Sequence, residues 1–77
     1  MARARTLKIM WKNRFSGDTG FVKAIRESKG HFENGTVDEA RRFRTNSECN
    51  RAIELLTQIG EAENNEFMIT NMDGSIA

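Results

Sequence analysis

In the stretch from Thr6 to Asn13, Leu7, Ile9 and Trp11 alternate with Lys8, Met10 and Lys12. Alternation with period two predicts a half-buried strand with the apolar set inward and the other set outward. Residues 16–20 (SGDTG) hold two glycines free to adopt positive φ and predict a turn. Residues 21–28 (FVKAIRES) predict a second strand. Here Phe21, Lys23 and Ile25 alternate with Val22, Ala24 and Arg26, so both faces carry apolar side chains and the pattern leaves the inward one open. The short connection predicts an antiparallel hairpin with the first strand.

Lys29-Gly30 closes the second strand, and residues 31–34 (HFEN) read as a short extended piece. Asn34-Gly35 is the strongest two-residue turn signal in the chain. Residues 36–44 (TVDEARRFR) read as a turn followed by a short strand, because Asp38-Glu39-Ala40 suits a turn and Arg42-Phe43-Arg44 looks extended. A helix follows. Thr45 and Glu48 have capping-box spacing, in which Thr45 accepts from the Glu48 amide and Glu48 reaches back to the Thr45 amide. Cys49, Ala52, Ile53, Leu56 and Ile59 recur as one apolar stripe, widened by Leu55, with Arg51, Glu54 and Gln58 off it. Gly60 stands where a helix-terminating glycine is expected. Residues 60–65 read as a polar loop, and residues 66–72 as a final strand with Phe67 and Ile69 alternating against Met68 and Thr70.

These elements predict an α+β fold, β-β-β-α-β, with a small, mostly antiparallel sheet and one helix packed on one face. The 77 residues make a single small domain, with residues 1–5 as a basic N-terminal arm and 73–77 as a flexible tail. The expected core is Leu7, Ile9, Trp11, Phe21, Ile25, Phe43, Ala52, Ile53, Leu56, Ile59, Phe67 and Ile69.

Composition fits folding: 38% of residues are hydrophobic and the formal net charge is only +1. The single cysteine, Cys49, rules out an internal disulfide and suits a reducing, cytoplasmic setting. No apolar run approaches the roughly 20 residues that span a bilayer, so no membrane partner is expected. The chain start lacks the apolar stretch of a secretion leader, so the sequon Asn34-Gly35-Thr36 is expected to stay unused.

Charge changes the picture more than composition does. Residues 1–30 hold eight Lys and Arg against Asp18 and Glu27, whereas residues 31–77 hold four Arg against nine acids. Such a dipolar sequence either steers an anionic partner or lets two halves of one small fold attract each other.

Catalytic chemistry is poorly served. A nucleophile needs an adjacent base, yet Cys49 falls on the apolar helix stripe and His31, the sole histidine, in a turn region. One Cys and one His cannot build a structural zinc site, and Glu61, Glu63 and Glu66 lack calcium-loop spacing. SGDTG is too short for a phosphate-binding loop and lacks its Lys-Ser/Thr ending. No catalytic residue, metal or cofactor is expected, and the chain does not read as an enzyme.

Binding is better served. Lys8, Met10 and Lys12 share the outward face of the first strand, joined by Lys23 or Arg26 of its neighbour according to register, and these five are the expected partner-binding residues. Met10, Val22, Ala24 and Met68 either add a partly exposed apolar patch or are covered by the stems of neighbouring Lys and Arg side chains. Arg3, Arg5 and Arg14 flank the face as possible nucleic-acid contacts, while Trp11 points inward and offers no stacking platform. Arg41, Arg42, Arg44 and Arg51 either extend this patch or lie elsewhere.

The stretch GFVKAI followed by GHFENGTVDEARRFRTNSECNRAIELL resembles a pattern in small α+β proteins of bacterial phages and mobile elements. The matching positions are Gly20, Phe32, Thr36, Asp38, Ala40, Phe43, Thr45, Ala52 and Leu56, about half the chain in extent. They are turn, cap and core positions. What the resemblance implies is an accessory gene product without a catalytic site, such as an inhibitor of a host enzyme or defence complex. The leading expectation is therefore a non-enzymatic binding module that docks on a larger protein or nucleoprotein complex. Direct nucleic-acid binding through the same face is the rival, and self-association through strand edges, as a homodimer, is the third reading.

Overall fold

A computed structural model describes residues 6–76, so the expected basic arm, with Arg3 and Arg5, lies outside the described residues. The alternating apolar and basic residues form β1 (Lys8–Asn13), which pairs antiparallel with β2 (Thr19–Arg26) on one side and β4 (Asn65–Thr70) on the other. β3 (His31–Gly35) adds to β2, giving one antiparallel sheet in the order β3-β2-β1-β4. One helix, α1 (Asn46–Gln58), packs on the inner face. The fold is the small α+β architecture that the pattern predicts.

Leu7, Ile9, Val22, Phe43, Cys49, Ala52 and Leu56 form the buried core, with Trp11, Ile25, Phe32, Ile53, Ile59, Phe67 and Ile69 packed against it. The helix presents Cys49, Ala52 and Leu56 at spacings of three and four, as the stripe requires. Its start is fixed by Thr45, whose hydroxyl accepts from the Glu48 amide at 3.2 Å. The reciprocal bond differs from expectation: the Glu48 carboxylate accepts from the Arg44 amide at 2.8 Å rather than from Thr45. Gly60, at φ 90°, takes the left-handed position just beyond the helix end.

Two positions correct the expected core. Val22 is buried inward, and Phe21 lies half-buried on the opposite face. A bulge between Val22 and Ala24 is the cause. The extra residue shifts parity, so Val22 and Ile25 both face the helix although three positions separate them. This also removes Val22 from the expected outer patch. Neither face of FVKAIRES is uniformly apolar because the strand changes parity midway.

The turn expectations divide in the same way. Gly17 has φ 78° in the β1–β2 hairpin. Gly20 instead sits in β2 opposite Trp11, and a Cβ there would lie 2.7 Å from the indole ring and closer still to Asn34 Oδ1. Close approach, not a turn, demands that glycine. The Trp11 indole N–H donates to Asn34 Oδ1 at 2.9 Å. Asn34-Gly35 is not a hairpin turn but the end of β3.

Phe32 on β3 and Phe67 on β4 meet edge to face, with ring centroids 5.6 Å apart. In a flat sheet three strand spacings would separate those edges by about 14 Å. The sheet therefore curls, and its concave inner side holds the helix and the aromatic cluster.

The expected strand near Arg42–Arg44 shrinks to a single bridge, Leu7 with Phe43. Leu7 N–H donates to the Phe43 carbonyl at 2.7 Å and Phe43 N–H to the Leu7 carbonyl at 2.8 Å, while Arg41 N–H donates to the Val22 carbonyl at 3.0 Å. Residues 41–43 thus tie the chain before β1 to the middle of β2. The C-terminal residues also fold back: Asn71 N–H donates to the Ser75 carbonyl at 2.8 Å and Thr70 bridges Ile76.

Candidate binding surface

The outer sheet face carries the side chains expected to bind, and the structure covers much of it. Residues 36–39 (TVDE) fold over this face as a turn locked from both ends. The Glu39 carboxylate accepts from the Thr36 amide at 3.0 Å, and the Thr36 hydroxyl accepts from the Glu39 amide at 3.4 Å. The Thr-x-x-Glu spacing is the same as in Thr45-x-x-Glu48, a signal visible in the sequence. Beside it, Gly74 at φ 90° packs its backbone against the Phe21 ring.

Lys8 lies beneath this cover. It is only 2% exposed, and its ammonium donates to the Val37 carbonyl. The expectation that Lys8 contacts a partner is corrected on that ground: the residue has the expected parity, but the 36–39 turn buries it. Met10 is half-buried on the same face. Lys12 is exposed. Lys23 is exposed but reaches Glu39 at 3.7 Å. Arg26 donates through Nε to Glu33 Oε2 at 2.6 Å. The Arg26 guanidinium holds the Glu33 carboxyl below the usual carboxylate range, and hydrogen bonding to Thr36, chiefly from its backbone amide, does the same for Glu39.

Arg14 is likewise engaged. Its Nε donates to the Ala62 carbonyl and its Nη1 to Glu66 Oε1, each at 3.2 Å. Each of the three ion pairs among the described residues, Arg14–Glu66, Lys23–Glu39 and Arg26–Glu33, joins a cation from the basic first 30 residues to an acid from the remainder. The dipolar sequence is used inside the fold. Arg14, Lys23 and Arg26 of its basic half are thereby paired.

The cations without a carboxylate within 4.0 Å, among the described residues, include all four arginines of the acidic half: Arg41, Arg42, Arg44 and Arg51. Three of them surround an open cleft of about 320 Å³ between α1, residues 41–43 and the end of β2. Its lining combines Arg41, Arg42, Arg51 and Glu48 with Ile25, Phe43, Ala52 and Leu55. Glu48, Arg51, Ala52 and Leu55 follow the i, i+3, i+4, i+7 rule and share one helix face. The cleft is thus an apolar floor under a rim of three guanidinium groups and one carboxylate. One side of the rim is held in place: the backbones of Arg41 and Phe43 are pinned to Val22 and Leu7, and the Arg41 guanidinium carbon stands 5.2 Å from the Phe43 ring centroid.

The sequence pattern did not single out this arginine cluster, which it left as either an extension of the outer face or a group lying elsewhere. Two signals pointed here: the Arg41-Arg42-Phe43-Arg44 run, and Arg51 at helical spacing from Glu48 and Leu55. What the sequence did not disclose was which cations would find acids within the fold.

A second cleft, of about 490 Å³, lies at the β1–β2 hairpin and is lined by Lys12, Asn13, Arg14, Ser16, Gly17, Glu66 and Phe15, which is 82% exposed. Its arginine is already paired with Glu66. Cys49 and His31 are not brought together. Cys49 is buried under the helix, while His31, paired with Arg26, faces the other side of the sheet. Burial pushes the Cys49 thiol up, and the neighbouring Glu48 carboxylate adds to the effect. No helix among the described residues is long and apolar enough to cross a membrane. No family model, curated protein or solved structure matches the chain.

Proposed function

We propose that this chain is a small non-enzymatic binding module that docks on a larger protein with an acidic surface. The observation that carries this reading is the uncompensated Arg41, Arg42 and Arg51 side chains, gathered on one rim while Arg14, Lys23 and Arg26 pair within the fold. Unpaired guanidinium groups that keep their hydration until a partner arrives favour carboxylates in bidentate geometry. The resemblance to small phage and mobile-element proteins suits an accessory or inhibitor role, in which the module occupies a surface of a host protein or complex.

The composition of the cleft favours protein over nucleic acid. Single-strand binding wants exposed aromatic faces for stacking, but Phe43 is only 6% exposed and Arg41 already stands over its ring.

The test has two arms. In the first, the purified chain is titrated with short DNA and RNA at low and moderate salt. Little or no binding is expected, and tight, steeply salt-dependent binding would favour the nucleic-acid reading instead. In the second, the chain and its Arg42→Glu/Arg51→Glu variant are used to retrieve a partner from the native host. A protein retained by the first and lost by the second is expected. Equal retention would overturn the reading.

A further inference from the structure

We infer that the cleft between α1 and residues 41–43 binds a short acidic segment of a partner protein by inserting one aliphatic side chain between two or more carboxylates. This rests on the docking role proposed above and adds the chemistry of what is docked. Three features of the cleft lead to it.

First, the floor is apolar. Ile25, Leu55, Phe43 and Ala52 come from β2, the helix and the crossing segment, so the floor exists only in the folded chain. Its volume of about 320 Å³ sits at the low end of the range for ligand pockets and suits one or two side chains rather than a whole helix. Second, the rim gathers three exposed guanidinium groups, those of Arg41, Arg42 and Arg51, with no carboxylate of the described residues within 4.0 Å, whereas Arg14, Lys23 and Arg26 each have one. Third, the one rim carboxylate is already occupied, since Glu48 Oε2 accepts the Arg44 amide. It therefore competes weakly for the neighbouring guanidinium groups.

A segment of alternating character satisfies floor and rim together. An aliphatic side chain covers Leu55 and Ile25, while flanking carboxylates meet Arg42 and Arg51 in charge-assisted hydrogen bonds. A purely acidic strand leaves the floor wet, and a purely apolar one leaves the arginines unmatched. The pinned backbone at Arg41 and Phe43 lowers the ordering cost of binding.

The experiment uses fluorescein-labelled peptides and the full chain in an anisotropy titration. The probe carries a central Leu flanked on each side by Asp-Glu; its control replaces the Leu by Ser. Binding of the Leu peptide about tenfold or more tighter than the Ser peptide is expected. Arg42→Glu/Arg51→Glu should abolish it, Leu55→Gln should weaken it about tenfold, and Lys12→Glu should leave it within about twofold. Circular dichroism melts establish that each variant folds. Should Leu55→Gln fail to fold, Leu55→Met takes its place, with a smaller loss expected. Equal binding of Leu and Ser peptides, no binding of either, or loss caused by Lys12→Glu alone would overturn the inference. The broader docking role fails separately, if the native partner is retained equally by the wild-type chain and the doubly reversed variant.

Discussion

The ammonium of Lys8 donates to the backbone carbonyl of Val37 from beneath the turn that covers it. A residue that alternation marks as an outward cation is thus a tether between the sheet and the 36–39 turn. Truncation to Ala removes a buried stem and orphans the carbonyl, at an expected cost of roughly 2–4 kcal/mol. Met keeps the stem and loses only the bond, at about 1–3 kcal/mol. Urea denaturation should rank the chains wild type, Lys8→Met, Lys8→Ala. If Lys8→Ala proved as stable as wild type, the tether would have no energetic role. Lys8→Glu, which looks like a binding probe, should report unfolding instead.

Gly20 and Trp11 make a similar point about close packing. Gly20→Ala places a methyl group 2.7 Å from the indole and against Asn34 Oδ1, so the ring must move and its bond to Asn34 is lost. A loss of about 2–3 kcal/mol is expected, with a red shift in tryptophan emission. Gly17→Ala meets no atom within 4 Å and pays only for φ 78°, about 1 kcal/mol. Similar midpoints for the two variants in thermal melts would count against the close-approach account.

Glu33, Glu39 and Asp73 all have carboxyl groups held below their usual range: Glu33 chiefly by Arg26, Glu39 by Thr36 and Asp73 by Ser75. The folded state therefore binds protons less readily than the unfolded chain. Its stability is fully present above the usual carboxylate range and falls as pH drops through the lowered values. Melting temperature should decline between about pH 5 and pH 3, and less so in Glu39→Gln. A flat profile would contradict the Thr36–Glu39 lock.

Cys49 is buried and its thiol is shifted upward, so it should be inert while the chain is folded. Reaction with a disulfide reagent at neutral pH should proceed only as fast as the protein unfolds. Modification within seconds in native buffer would show that the helix opens locally.

Much of this was legible in the chain, for identifiable reasons. The β1 alternation and the α1 stripe each have a single inward solution, so periodicity located Leu7, Ile9, Ala52 and Leu56 in the core. Thr45 and Gly60 punctuated the helix as local chemistry demands. The bulge at Val22–Ala24 was not legible, because a parity shift leaves an ambiguous pattern rather than a distinctive one. Nor was the role of residues 36–39, which depends on Lys8 and Lys23, distant in sequence. The arginine-rimmed cleft was hidden for the same reason. Charge along the chain marks where cations are, and only the fold decides which of them Glu33, Glu39 and Glu66 neutralise.

The central proposal is that an acidic partner segment meets the guanidinium cluster at the α1 cleft and not the outer sheet face. A two-dimensional nitrogen–proton spectrum of the labelled chain, recorded as the Leu-centred acidic peptide is added, tests it most directly. Shifts are expected at Arg41, Arg42, Phe43, Arg51, Leu55 and Ile25, with Lys23, Arg26 and Lys12 unmoved. Shifts concentrated on Lys12, Lys23 and Arg26, or no shifts at all, would contradict the account.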